Sequence, residues 1–188
     1  MNPVLRAVEA EFAREGTQFV APFTLTVAGA QTCELAQPNA RAASIAARMC
    51  AAIVKPTGGT IFVGDYETRL QPPQAKRLVG FVDGGGFTGD AHAFKCEVAF
   101  RAEVWSVEYA AARVRAERVL DELGDGGAYA RAVALALVAD VALIVFDRPP
   151  GDILRRVRGM APGAAILFSS EPRLEALALA PALSGAAP

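Results

Sequence analysis

ELAQPNARAASIAARM, residues 34–49, runs from a short apolar strand through a tight Pro-Asn loop into an alanine-rich helix start. Strand, loop and helix in that order can turn the backbone N–H groups of a helix start toward a phosphate. The flanks extend the pattern. FTLTV at 23–27, CEL at 33–35, TIFVGD at 60–65 and RLVGFVD at 77–83 are rich in β-branched and apolar residues and bounded by Gly or Pro, the marks of strands. The spacing predicts a helix over 42–53, ended by the KPTGG turn at 55–59.

Further along, residues 96–123 carry apolar positions three and four apart and predict one long charged helix, with Trp105 and Tyr109 on a single face. A glycine cluster then opens a helix over 130–138. ALIVFD at 142–147 is a continuous apolar run of the kind buried on both faces of a parallel sheet. After the short basic helix DILRRVRG at 152–159, AAILFSS at 164–170 repeats that character. Helices alternating with buried strands define an α/β fold with a mostly parallel sheet.

Composition narrows the function. A chain of 188 residues suits one domain. A net charge of −1 provides no electrostatic match for nucleic acid, whose binding rests on Lys and Arg neutralising phosphates. No apolar run approaches the roughly 20 residues that span a bilayer, so direct membrane insertion is not expected. MNPVLRAVEAEFAREG, residues 1–16, mixes charge into its apolar positions and is not a signal peptide, which points to a cytoplasmic protein. Cys33, Cys50 and Cys96 form no C-x-x-C pair and are expected as buried small hydrophobes. His92 is the only histidine and falls in a loop-like stretch, so sites needing two imidazoles are excluded and no metal site is expected.

On these residues the chain resembles the nucleotide-binding domain of ABC transporters over nearly its whole length. Residues 34–65 resemble that family's phosphate loop, following helix and next strand without a gap. KPTGGTIFVGD, at that distance from a loop containing Pro-Asn, is the most specific match. GAYARAVALALVADVALIVFD, 127–147, resembles the signature helix and acidic strand end. The resemblance implies a P-loop NTPase-like ABC ATPase core with an N-terminal antiparallel β portion and a shortened helical subdomain, at about 96–138 of a single domain spanning 1–188.

The resemblance also marks what has changed. A phosphate loop G-x-x-x-x-G-K-[ST] uses glycines to curl N–H groups around phosphate, a lysine to neutralise it and a hydroxyl to hold magnesium. Here Gln37 stands at the first glycine, Ala40 and Ala42 at further glycines, and Ala43 at the lysine; Pro38, Asn39 and Ser44 remain. An alanine forced to φ > 0 costs about 1 kcal/mol or more. A lost charged hydrogen bond costs roughly 1.5–3 kcal/mol. Asp147 is retained at the magnesium position, but Arg148 replaces the general-base glutamate and, staying protonated, cannot activate water. LGDGG at 123–127 stands for the signature loop, with Asp125 where phosphate would lie. Asp83 and Gly84 replace a magnesium-sensing glutamine, and Ser170 or Glu171 a catalytic histidine. Phe12 is the candidate for stacking adenine.

Taken together, these substitutions predict a chain that is not an enzyme and takes neither ATP nor magnesium. It is expected to be a scaffold or regulatory subunit binding a membrane permease or an active ATPase paralogue, with dimerisation possible. Phe87, Phe94, Phe100 and Trp105 are the exposed aromatic candidates for that contact, since aromatics anchor interfaces. The alternative is a weak ATP-binding subunit, in which Ser44, Asp147, the helix dipole and Arg148 hold phosphate. A third reading, an unrelated α/β enzyme, lacks a defined acid–base couple: Asp121 with Glu122 suits a charged helix face, Glu67 near Asp65 is no better, and no G-x-S-x-G elbow occurs.

Overall fold

The computed structural model describes residues 3–124, 127–150 and 152–170. Strands β1 (Pro3–Arg14) and β2 (Thr17–Ala28) pair antiparallel. Between them Glu15 and Gly16 have φ of 52° and 76°. Positive φ at both central residues suits a two-residue hairpin whose twist matches its strands. Strand β3 (Thr32–Ala36) leads into helix α1 (Ala40–Cys50). Strand β4 (Gly58–Val63) returns to pair antiparallel with β1, and the short β5 (Tyr66–Glu67) adds to β4. Helix α2 (Pro72–Arg77) follows, its two prolines in the first turn where the missing N–H groups cost nothing.

The chain then enters β6 (Val79–Val82), α3 (Ala91–Trp105), α4 (Tyr109–Leu123), α5 (Ala128–Ala136), β7 (Leu143–Asp147), α6 (Ile153–Met160) and β8 (Ala165–Ser170). The fold is mixed α/β: an antiparallel sheet ordered β2-β1-β4-β5 and a parallel sheet ordered β3-β8-β7-β6. All five residues of β7 are buried, as its unbroken apolar run requires of a strand covered on both faces. Helix α1 lies between the two sheets and touches both. It buries Ala42, Ala46 and Ala47 with Met49 and Cys50 in one core, and Ala43 is buried as well. A second core lies on the other face of the parallel sheet, under α3 to α6. There a Cβ at Gly80 would come within 2.4 Å of the Ala136 carbonyl oxygen, so only glycine lets α5 approach β6 this closely.

Several sequence expectations change. The helix over 42–53 begins earlier, at Ala40, and ends at Cys50, ahead of the KPTGG turn. Ala52 takes φ 57°, and the N–H groups of Ile53 and Val54 close back on the Arg48 carbonyl at 2.9 and 3.2 Å. The single helix over 96–123 is two helices. Ser106 adopts the left-handed conformation at φ 55°, and the Glu108 carboxylate accepts the Ala111 N–H at 3.0 Å to start α4. Trp105 and Tyr109 therefore sit on different helices. His92 lies in the first turn of α3 rather than a loop, with Nε2 3.7 Å from Cys96 Sγ. Of the cysteines, Cys50 is buried, Cys33 half-buried and Cys96 exposed. No helix among the described residues is long and apolar enough to cross a membrane.

Candidate functional site

A polar cluster forms at the carboxyl edge of the parallel sheet, where β6, β7 and β8 end beside the first turns of α1. Asn39 precedes α1 with extended backbone, and its Oδ1 accepts the Ala42 N–H at 2.9 Å. With alanine rather than glycine at 40 and 42, the chain takes helical geometry from Ala40 on, and Asn39 caps it. Gln37 is largely buried beside this turn, and Ala43, at the lysine position, is fully buried. Arg41 lays its guanidinium on the Phe19 ring, 4.5 Å from the centroid. Phe12 stacks at an angle on Phe19, with centroids 6.2 Å apart, so Phe19 is the aromatic nearer the loop.

Ser44 projects from α1 onto the end of β7 and donates to Asp147 Oδ2 at 2.6 Å. Asp147 is only 1% exposed, and its other oxygen is also engaged. Ser169 Oγ donates to Oδ1 at 3.2 Å, and the Arg148 side chain contacts the same oxygen through Nε at 3.2 Å. A buried carboxylate requires this density of donors. The Arg148 N–H donates to Ser169 Oγ at 3.2 Å while its backbone takes φ 52°.

Opposite, Asp83 follows β6. It accepts Arg48 Nη2 at 2.7 Å and the Gly85 N–H at 3.0 Å. The Gly85 contact, reinforced by the Arg48 guanidinium, holds its carboxyl below the usual range. Gly84 backs onto Asp147: a Cβ there would lie 2.8 Å from the Asp147 carbonyl oxygen and 3.5 Å from Arg148 Nη2. Tyr129, at the start of α5, completes the group. Burial, then the negative fields of Asp147 and Asp83, push its hydroxyl well above the ordinary tyrosine range. That hydroxyl is buried with no hydrogen-bond partner among the described residues.

The expected positions thus divide. Ser44, Asp147 and Arg148 come together. Ser170 points away, its hydroxyl bonding Glu34 on β3. The residue meeting Asp147 is Ser169, which sequence reasoning missed. The alternation of a strand puts neighbours on opposite faces, and the pairing of Asp147 with Ser169 selects the latter. Arg48 and Tyr129 were also missed, although Arg48, four residues after Ser44 on a helix, lies on the same face. Asp125 and Glu171 lie outside the described residues.

The aromatics divide as well. Contrary to their expected exposure, Phe87 and Phe94 pack edge to face at 5.9 Å against the second core. Trp105 is half-buried with its indole N–H unpartnered among the described residues. Phe100 is 61% exposed. It lines an open groove of about 540 Å³ between α2 and α3 with Pro72, Pro73, Val104, Lys76, Arg77 and Glu103.

A parallel sheet with a strand–loop–helix at its carboxyl edge, an antiparallel β portion and a helical layer define a P-loop-type transport ATPase fold. The chain has the fold of an ABC transporter ATP-binding subunit. It is similar to one such subunit at TM-score 0.70 and 14% identity, over 93% of this chain and 81% of that one. It is also similar to CbiO1 from Clostridium perfringens, part of the ABC transporter complex CbiONQ, at TM-score 0.71 and 16% identity, over 92% and 80%. No family model matches the sequence, and no curated protein does.

This likeness overturns two expectations, that the chain is not an enzyme and that it takes no ATP or magnesium. The fold is that of ABC ATPase subunits, one of them an ATP-binding subunit, and nothing in the geometry shows inactivity. The loss of the loop lysine weighed too heavily in that expectation. The hydroxyl–carboxylate pair Ser44–Asp147 is intact, the Tyr129 hydroxyl is left for a further partner, and Arg148 brings a cation to the cluster. Hard oxygen donors of this kind suit magnesium, so the residues fit the group.

Proposed function

We propose that this chain is the ABC-type subunit of a transport complex, cytoplasmic and held at the inner membrane by a permease subunit or a partner ATPase subunit. In that complex it serves as a scaffold and regulator. The observation that carries this reading is the open groove between α2 and α3, with Phe100 exposed in it. A large apolar side chain in a concave surface is the form of an interface anchor. Phe94 and Trp105 share helix α3 with Phe100, and Phe87 packs on Phe94 against the second core. The chain acts as one domain over 1–188, with about 96–138 as its helical subdomain, and pairing with a second ATPase-type chain is compatible with this role.

A nucleotide site belongs to this reading. Ser44 and Asp147 would hold the magnesium ion of a nucleotide, which neutralises phosphate oxygens when bound. Gln37, Asn39, Ala40, Ala42 and Ala43 form the reshaped loop beside it.

In-cell photo-crosslinking from position 100 tests the docking. An adduct with a polytopic membrane protein or an ABC ATPase subunit, lost when Lys76 and Arg77 are both changed to Glu, is the expected result. Adducts only with unrelated soluble proteins, or none, would overturn it.

A further inference from the structure

We propose that His92 and Cys96 form half of a zinc site that joins two copies of this chain, each copy supplying one imidazole and one thiolate. The two residues lie four apart at the start of α3, so their side chains share one face of the helix. Nε2 of His92 stands 3.7 Å from Sγ of Cys96. Zinc holds sulfur at about 2.3 Å and imidazole nitrogen at about 2.0–2.1 Å in a tetrahedron, which sets two such donors about 3.6 Å apart. The pair already has that spacing. Its helical turn is also held in place: Asp90 Oδ1 accepts the Ala93 N–H at 2.8 Å, and Arg131 Nη1 donates to the Gly89 carbonyl at 2.8 Å. Two donors fixed on one turn take a metal without rearranging the backbone.

One chain cannot finish the site. It has a single histidine, Cys33 and Cys50 belong to β3 and α1, and no group of three His, Cys, Asp or Glu side chains is arranged for a metal among the described residues. A structural zinc ion takes four protein ligands. His92 and Cys96 are both exposed, so a two-fold axis between two α3 helices brings the same pair from a second copy and completes a set of two cysteines and two histidines. On binding, each thiol releases its proton to solvent and no electrons are exchanged. Thiolate with imidazole selects zinc, whereas the oxygen donors at Ser44 and Asp147 suit magnesium, so the two sites do not compete for one ion. Lys95 is exposed beside the pair, and its like charges face one another when two copies meet there. The copies should therefore associate through the metal and separate without it. Phe100, Glu103 and Val104 lie toward the other end of α3, so a partner in that groove and a metal-linked copy use different turns of the helix.

The test uses the full chain, reduced and stripped of metal by a chelator, titrated with zinc and with cobalt(II) under excess magnesium while sedimentation follows its mass. The expected result is a monomer without zinc, a dimer holding one zinc per two chains, and a thiolate charge-transfer band when cobalt takes the place of zinc. His92→Ala and Cys96→Ala put a good helix former at exposed positions, so a loss of binding there does not come from failed folding. Each should lower zinc affinity by more than about a hundredfold, since even the outer partners of metal ligands are worth about ten- to a hundredfold, and each should abolish the dimer. Cys96→His keeps a chelating pair at the same helical spacing and should retain the zinc-dependent dimer while losing the cobalt–thiolate band. Cys33→Ala should behave as wild type. One zinc per chain with no dimer, or a dimer that persists after the metal is removed, overturns the part of the second copy. Zinc binding unchanged in both His92→Ala and Cys96→Ala, or no zinc bound at micromolar concentration, overturns the site.

Discussion

Ser44 and Asp147 lie 103 residues apart and share a 2.6 Å hydrogen bond beneath the protein surface. Replacing Ser44 by Ala leaves Asp147 Oδ2 in a buried site without its donor. Such a group costs about 1–3 kcal/mol, to be read as a lower urea midpoint with unchanged m-value, and Ser44→Thr, which keeps the hydroxyl, should recover most of it. Ser44 was legible from the spacing of the loop motif, and Asp147 from the resemblance of residues 127–147 to an acidic strand end. Ser169 was not, since only the strand register decides which of two adjacent serines faces the carboxylate. Cys50 offers a pH test. Burial, aided by the field of Cys33, raises its thiol from 9.0 to about 12. The folded chain then keeps the proton through a range in which the unfolded chain releases it. Stability is complete below pH 9 and declines as pH rises toward 12, by on the order of 4 kcal/mol from this thiol alone. Urea titrations from pH 8 upward should show a shallower alkaline decline in Cys50→Ala than in wild type, on top of its lower neutral stability from the lost side chain. An identical slope would show that the thiol ionises as readily folded as unfolded.

The helical layer shows why element boundaries escape a sequence reading. The apolar spacing of residues 96–123 continues across the break, because α3 and α4 both bury one face against the same core: Val98 and Ala102 from α3, Ala112, Ala116 and Val119 from α4. Periodicity reports burial, and here two helices inherit one pattern. The signal for the break was local, Ser106 followed by the capping Glu108. A substitution at Ser106 separates the two geometries by sign. Within a continuous helix, Ser106→Gly would destabilise by roughly 0.5 kcal/mol. At φ 55° glycine carries no Cβ penalty, and the same change should stabilise by a few tenths to about 1 kcal/mol. Thermal melting of Ser106→Gly against wild type reads the sign directly. The strands β6, β7 and β8 were legible for the opposite reason. Their apolar runs are short, uninterrupted and bounded by turn residues, so burial and element coincide.

At the scale of the molecule, both cores lie against the parallel sheet, which fixes the cluster at its carboxyl edge and leaves the groove between α2 and α3 on the outer surface. The groove walls carry Lys76 and Arg77 on one side and Glu103 on the other around Phe100 and Val104. With two cations to one anion, a docking segment that is apolar at its centre and acidic at its rim is the complementary partner, and opposite charge at a rim acts mainly on encounter rate. Phe100→Ala should therefore weaken association with the crosslinked partner by raising the off-rate. Lys76→Glu should slow the on-rate and flatten its dependence on salt, and Glu103→Lys should do the reverse. None of the three should move stability by more than about 0.5 kcal/mol, because these side chains lie at the surface rather than in either core. Surface-immobilised binding measured between 50 and 500 mM salt separates the two effects. If Phe100→Ala and Lys76→Glu left both rates unchanged, the partner would have to dock elsewhere on the surface.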